Sequence, residues 1–256
     1  MGLRIVVAGS LLAAILAGCG GADGTSSAAS SDPELVVFAA SSLGPAFERY
    51  GDRFEGADVK FSFAGSDDLA AQIRQGVAPD VYAAANTSLP DELHADGLVA
   101  EPTTFATNKL VIGVPAGSQI DDVSDLERPG VKVAIGDEDV PVGIYTHEVL
   151  DALGPGPADA ILANVASSEP DVAGIVGKLT QGAVDAGFVY RSDVDATGGA
   201  VAEVAIPPRA SPDVAYGIAA TTDAEQPELA RRFIDGVVSG DGKDILLDSG
   251  FGPPPR

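Results

Sequence analysis

Serines follow two apolar segments of the chain, at positions where an anion could bind. Residues 38–43 (FAASSL) and 64–69 (AGSDDL) each place a hydroxyl where a predicted strand ends and a helix begins. A serine at such a turn can cap the helix by accepting a hydrogen bond from an unpaired N–H group. The same N–H groups can instead face an anion, aided by the helix dipole. Local sequence leaves both interpretations open.

Strands and helices alternate around these turns. Strands are predicted at residues 35–38, 59–63, 81–83, 110–114, 131–135, 187–190, 201–206 and 214–219. Apolar residues at helical spacing predict helices within 43–54, 69–76, 145–153, 172–179, 229–237 and 244–247. This alternation predicts an α/β fold of mostly parallel sheets flanked by helices, and the length suits two such sheets. Ligands of open α/β sheets bind at the carboxyl ends of the strands.

Composition excludes several classes of function. The 256 residues include 38 acidic and 15 basic side chains, so the net charge of −23 argues against nucleic-acid binding. A single cysteine allows no intrachain disulfide, and only two histidines are present. Neither histidine has a cysteine partner, and the G-x-S-x-G and P-loop motifs are absent. We therefore expect a binding protein and not an enzyme.

The N-terminal segment predicts export from the cytoplasm. Arg4 precedes a short apolar stretch that ends in residues 16–19 (LAGC). This pattern is typical of a secretory signal, and its ending resembles a bacterial lipobox. We expect residues 1–18 to be a lipoprotein signal peptide, Cys19 to be lipidated and held at the cell membrane, and residues 19–33 to be a flexible tether.

Nine motifs, in order and at compatible spacing, carry a resemblance to a known family. They are 36–43 (VVFAASSL), 62–66 (SFAGS), 78–82 (APDVY), 108–111 (NKLV), 135–137 (IGD), 140–145 (VPVGIY), 171–172 (DV), 187–193 (GFVYRSD) and 249–251 (SGF). From residue 34 to residue 251 the chain resembles the molybdate-binding proteins of bacterial ABC importers. The motif at 140–145, with the glycine and aspartate before it, is the most specific.

The resemblance implies the two-lobed fold of periplasmic binding proteins, with the ligand held between α/β lobes. It places the first lobe at residues 34–112 and 208–256, and the second at 113–207. The chain is expected to cross between lobes near 109–114 and 206–216. The implied partners are an ABC permease and its ATPase, and we expect the binding protein to be a monomer.

The resemblance also implies a ligand and the residues that hold it. Ser42 and Ser66 would each offer a hydroxyl and a backbone N–H, Val142 and Val172 would offer backbone N–H groups, and Tyr190 would offer its phenol. The ligand would be molybdate or its near equal in size, tungstate, with no cofactor and no free metal cation. These groups supply about seven donors. Hydrogen bonds to a charged group contribute about 1.5–3 kcal/mol each, so several can offset the desolvation of a dianion.

Three alternatives stay open on sequence grounds. The first is a binding protein for another small anion such as sulfate or phosphate. The second is a ferric-iron binder that uses tyrosine phenolates, and the third is a lipid-anchored hydrolase, although no nucleophile and base pair is evident. Asp67 and Asp68 follow Ser66 directly. We expect them to favour the helix dipole in the first turn, whereas carboxylates facing the cleft would repel an anion.

Overall fold

The computed structural model describes residues 32–255. The predicted signal peptide (1–18), the lipidation site Cys19 and the tether as far as residue 31 lie outside the described residues. Within 32–255, no helix combines the length and the apolar character that crossing a bilayer requires.

The first sheet contains five strands. They are β1 (Glu34–Ala40), β2 (Asp58–Ala64), β3 (Val81–Ala84), β4 (Thr103–Asn108) and β10 (Val214–Ala220). Their spatial order is β2-β1-β3-β10-β4. The central strand β3 is buried along its whole length, since helices cover both faces of the sheet.

The second sheet also contains five strands. They are β5 (Leu110–Pro115), β6 (Val133–Gly136), β7 (Val165–Glu169), β8 (Ala186–Tyr190) and β9 (Val201–Val204). Their spatial order is β7-β6-β8-β5-β9, so β8 lies at the centre. The prediction of an α/β fold with two lobes is confirmed.

Helices surround both sheets. The first sheet is accompanied by α1 (Gly44–Gly51), α2 (Ser66–Arg74), α3 (Ser88–Ala95), α8 (Pro227–Ser239) and α9 (Asp241–Asp248). The second is accompanied by α4 (Pro141–Leu153), α5 (Pro155–Leu162), α6 (Val172–Thr180) and α7 (Arg191–Ala196). Short 3-10 turns lie at Ser41–Leu43, Val123–Glu127 and Pro208–Ala210.

The prediction that each sheet is mostly parallel is wrong, because both sheets are mixed. β1 runs parallel to β2 and β3, and β6 runs parallel to β7 and β8. In contrast, β10 is antiparallel to both of its neighbours, and so is β5. Parallel neighbours need a long crossover, which is usually a helix. β5 and β10 are the strands by which the chain enters each sheet from the other, and both run against their neighbours.

The crossover from the first sheet to the second is a single residue, Lys109, between β4 and β5. Leu110 already pairs with Tyr190 in the second sheet. We therefore propose that the first lobe ends at Asn108, a little before the boundary at 112 that the sequence predicts. The chain returns to the first sheet at β10, whose first residue, Val214, pairs with Asn108.

An aromatic cluster fixes two helices on one face of the first sheet. Phe47 of α1 lies edge-on to Phe233 of α8, with ring centroids 5.6 Å apart. Phe61 of β2 and Phe105 of β4 lie 6.2 Å from Phe47. Close-packed aromatic rings contribute both buried apolar area and specific geometry. This packing fastens α1 and α8 to the sheet whose strands lead to the turns that carry the serines.

Candidate ligand-binding site

A small cavity lies where strand ends from both sheets meet. β1, β2 and β3 end at one edge of the first sheet, and β6, β7 and β8 end at one edge of the second, since each set is parallel. All five predicted ligand-binding residues line this cavity, namely Ser42, Ser66, Val142, Val172 and Tyr190. The remaining lining residues are Ala40, Ser41, Ala64, Gly65, Ala85, Val140, Pro141 and Asp171. Tertiary structure thus brings together residues that are far apart in the sequence.

Ser66 is the first residue of α2 and is almost fully buried, with 1% of its surface exposed. Its hydroxyl oxygen accepts a hydrogen bond from the N–H of Ala85 at 3.1 Å. Its backbone carbonyl accepts one from the Tyr82 hydroxyl at 2.7 Å. Because the Ser66 hydroxyl acts as an acceptor here, its own proton is available to a group inside the cavity.

Ser42 lies in the 3-10 turn that follows β1. Its hydroxyl oxygen lies 3.0 Å from the hydroxyl oxygen of Tyr216, and both side chains are buried. Neither Ser42 nor Ser66 is a helix N-cap, since Ala40 and Gly65 occupy those positions without a capping side chain. The capping interpretation of the two serines is therefore wrong, and both residues line the cavity.

Val142 and Val172 line the cavity at the starts of two helices. Val142 is the second residue of α4, and Val172 is the first residue of α6. N–H groups in a first turn have no acceptor within their own helix, and neither has a backbone acceptor elsewhere in the described chain. The neighbouring Gly143 is required because a Cβ there would collide with the Asp137 carbonyl oxygen.

Tyr190 is the last residue of β8, and only 1% of its surface is exposed. Its hydroxyl is buried and has no hydrogen-bond partner among residues 32–255. Burial raises the pKa of this phenol well above its ordinary value, and the neighbouring Tyr216, Tyr145 and Asp193 raise it further. The phenol therefore stays protonated at neutral pH. A buried donor without an acceptor is costly, so its position in the cavity wall suggests a ligand oxygen as its partner.

No lysine or arginine lines the cavity, and the one charged residue in its wall is Asp171. The Asp171 carboxylate caps α6 by accepting the N–H of Gly174 at 2.9 Å, so this carboxylate is already engaged. Asp67 and Asp68 lie in the first turn of α2 and do not line the cavity. Burial raises the pKa of Asp67, whose Oδ1 is buried and has no hydrogen-bond partner among the described residues. Donors, and not formal charges, therefore dominate the site.

The other tyrosines near the cavity pack against Tyr190 or bind the backbone. Tyr145 and Tyr216 pack edge-on against Tyr190, with ring centroids 6.5 and 5.9 Å away. Tyr82 is engaged with the backbone of Ser66. Across the described part of the chain, no group of three or more His, Cys, Asp or Glu residues is arranged to hold a metal ion.

Asp193 supports Tyr190 from behind the cavity. Its carboxylate accepts the backbone N–H of Tyr190 at 3.0 Å, from the first turn of α7. Burial raises the pKa of the Asp193 carboxyl to about 7, while the Tyr190 N–H lowers it and Asp171 raises it. The carboxyl is thus protonated in the folded protein over a pH range in which it is ionised in the unfolded chain.

This difference in pKa predicts a loss of stability as pH rises. Between about pH 4 and pH 7 the folded state binds more protons at Asp193 than the unfolded state, so the free energy of unfolding falls. Replacing Asp193 with asparagine removes this dependence. The difference in the free energy of unfolding between Asp193→Asn and wild type should therefore shift in favour of the variant by about 2 to 3 kcal/mol as the pH rises from 5 to 8. Urea unfolding at both pH values measures this, and exposed Asp159→Asn controls for net charge. Equal pH dependence in wild type and Asp193→Asn would contradict the prediction.

Two α/β lobes with a ligand cavity between their strand ends define a two-lobed solute-binding protein. The chain belongs to the family of bacterial extracellular solute-binding proteins, whose profile matches residues 35–252. It is an extracytoplasmic binding protein and not an enzyme. Membership of this family disfavours the hydrolase alternative.

Two relatives are similar over most or all of the chain. The molybdate-binding protein ModA of Mycobacterium bovis is 38% identical over an alignment of 264 positions, gaps included, which covers 99% of each chain. The protein of the same name from Escherichia coli is 30% identical and covers 85% of this chain and 88% of its own.

Solved structures share the fold. The periplasmic molybdate-binding protein of Azotobacter vinelandii has a TM-score of 0.78 at 21% identity, and covers 86% of this chain and 100% of its own. The sulfate-binding protein SubI of Mycobacterium tuberculosis has a TM-score of 0.75 at 17% identity, and covers 86% of this chain and 87% of its own. At these identities the likeness establishes the fold alone.

Proposed function

We propose that this protein captures molybdate, or tungstate, outside the cytoplasm and delivers it to an ABC permease with its ATPase. The observation that carries the proposal is the convergence of Ser42, Ser66, Val142, Val172 and Tyr190 on one cavity without a lysine or arginine. The names and full-length similarity of the mycobacterial relatives support the choice of ligand.

The chemistry of the ligand suits these donors. Molybdate is a tetrahedral dianion, and its oxygens are all acceptors at neutral pH. The cavity offers hydroxyl protons, first-turn N–H groups at the positive ends of helices, and a protonated phenol. Hydrogen bonds to a charged group contribute about 1.5–3 kcal/mol each, so neutral donors suffice to hold a dianion. A protein of net charge −23 can therefore bind an anion, because surface carboxylates are screened beyond about 8–10 Å.

Both lobes contribute donors, so the ligand favours the closed form and shifts the population toward it. The first lobe supplies Ser42 and Ser66, and the second supplies Val142, Val172 and Tyr190. We place the first lobe at 34–108 and 208–256, and the second at 110–207. The closed monomer would dock on the permease while lipidated Cys19 and the tether at 19–33 keep it at the membrane.

Titration calorimetry with a series of oxyanions tests the proposed ligand. Molybdate and tungstate should bind with similar affinity, and sulfate should bind poorly because fixed donors suit the larger anions. Metal analysis of protein purified without chelator should find molybdenum in excess of iron. Equal affinity for sulfate and molybdate, or bound iron in place of molybdenum, would refute the assignment.

Replacing Tyr190 with phenylalanine should weaken molybdate binding about tenfold, because one donor to a charged oxygen is lost while the ring remains. Calorimetry measures the affinity, and thermal unfolding without ligand checks that the fold is kept. Tyr50→Phe is the matched control, since the Tyr50 hydroxyl is also buried but donates to the Phe233 carbonyl far from the cavity. Unchanged affinity in Tyr190→Phe would remove this residue from the site.

A further inference from the structure

Three buried polar side chains lie behind Ser42 and do not line the cavity. They are Asn108 at the end of β4, Ser192 in α7 and Tyr216 in β10. The Asn108 side-chain nitrogen lies 2.8 Å from the Ser192 hydroxyl and 3.4 Å from the Tyr216 hydroxyl. The Tyr216 hydroxyl in turn lies 3.0 Å from the hydroxyl of Ser42. A continuous chain of hydrogen bonds therefore leads from the lobe crossover to the cavity wall.

The direction of each hydrogen bond in this chain follows from the donors available. The side-chain oxygen of Asn108 (Oδ1) accepts a hydrogen bond from the backbone N–H of Lys109 at 2.9 Å. This hydrogen bond fixes which way the side-chain amide of Asn108 is turned. The two amide protons of Asn108 are then directed to Ser192 and Tyr216, so the Tyr216 oxygen is an acceptor.

The proton of Tyr216 has one acceptor within the described chain, the Ser42 oxygen. Burial raises the pKa of Tyr216 well above its ordinary value, so its proton is retained. The nearby Tyr190 hydroxyl takes no part, because it has no partner among residues 32–255. A buried hydroxyl proton is rarely left unpaired, and Tyr216 therefore donates to Ser42.

We propose that Tyr216 is a positioning residue: its hydroxyl donates to one of the two lone pairs of the Ser42 oxygen, so the Ser42 proton points away from Tyr216 and toward the bound anion. This inference rests on the proposed function, because it assigns the Ser42 hydroxyl as a donor to the ligand. Asn108 in turn donates to Tyr216, and we call the hydrogen-bonded series Asn108–Tyr216–Ser42 the relay. Without Tyr216, the Ser42 hydroxyl is free to rotate, and part of its population points away from the ligand.

A double-mutant cycle on molybdate affinity tests the relay. Tyr216→Phe should weaken binding about five- to tenfold, and Ser42→Ala should weaken it at least tenfold. In the Ser42→Ala background, Tyr216→Phe should change affinity less than twofold, because the group that it positions is already gone. Tyr50→Phe removes a buried phenol hydroxyl outside the relay and should leave affinity unchanged.

The outcomes separate the relay from the proposed function. If the wild-type protein does not bind molybdate, the proposed function and the relay are both wrong. If wild type binds but the effects of Tyr216→Phe and Ser42→Ala multiply, or Tyr216→Phe behaves like Tyr50→Phe, only the relay falls. Should Tyr216→Phe fail to fold, neutron diffraction of the wild-type molybdate complex locates the exchanged deuterons. A deuteron of Ser42 directed at Tyr216 would then overturn the relay, and one directed at the anion would support it.

Discussion

Replacing Gly65 with alanine should weaken molybdate binding about a thousandfold. Gly65 precedes α2, and its backbone angles (φ −56°, ψ 137°) are ordinary for any residue. A Cβ at this position would, however, lie 2.6 Å from the carbonyl oxygen of Pro170, which belongs to the second lobe. It would also lie 2.8 Å from Oδ1 of Asp67 in the first lobe, but that atom ends a side chain that can turn away, whereas the Pro170 carbonyl belongs to the backbone. Closure would be blocked, and the three donors of the second lobe would be lost. At about 1.5 kcal/mol or more for each, that loss corresponds to about three decades in affinity.

The defect of Gly65→Ala should lie in closure and not in folding. Thermal unfolding without ligand should be close to wild type, while small-angle scattering should show no compaction when molybdate is added. Gly156→Ala in α5 is the matched control, because a Cβ there meets open space. Near wild-type affinity for Gly65→Ala would show that the lobes do not need this close approach.

Replacing Val172 with proline should weaken molybdate binding about 10- to 150-fold. Proline removes the backbone N–H and, with it, the nearest donor at the positive end of α6. Val172 is the first residue of that helix, a position where proline is well tolerated. The preceding Asp171 is extended (φ −159°, ψ 172°), as a residue before proline prefers. The substitution is therefore expected to remove one donor without disrupting the helix.

Val172→Ala is the matched control for this substitution. It also shortens the buried side chain but keeps the N–H, so its affinity should stay within about threefold of wild type. Calorimetry compares the two variants, and urea unfolding checks that they are equally stable. If proline and alanine at this position bind molybdate alike, the Val172 N–H is not a ligand donor.

Local patterns predicted most of the elements but not the direction of all the strands. Local apolar patterns predicted eight strands, β1, β2, β3, β5, β6, β8, β9 and β10, and six helices, α1, α2, α4, α6, α8 and α9. Two strands, β4 (TTFATN) and β7 (VASSE), were missed because both are polar. The helices α3, α5 and α7 were also missed. Prolines interrupt the short apolar patterns of α3 and α5, and α7 (RSDVDA) is mostly polar. The antiparallel pairing of β5 and β10 is set by how the chain crosses between sheets, which no local pattern records.

By itself, the sequence determined which residue types stand at the turns, and the motifs there predicted the five residues of the candidate site. Tertiary structure decided that these turns share one cavity, that neither serine caps its helix, and that Tyr216 reaches Ser42 across 174 positions of sequence. The physical reason is that some of these features depend only on neighbouring residues in the chain, whereas others depend on residues far apart in sequence. A helix start exposes unpaired N–H groups whatever its surroundings, whereas the partner of a hydroxyl, and the approach of Pro170 to Gly65, depend on how distant segments pack.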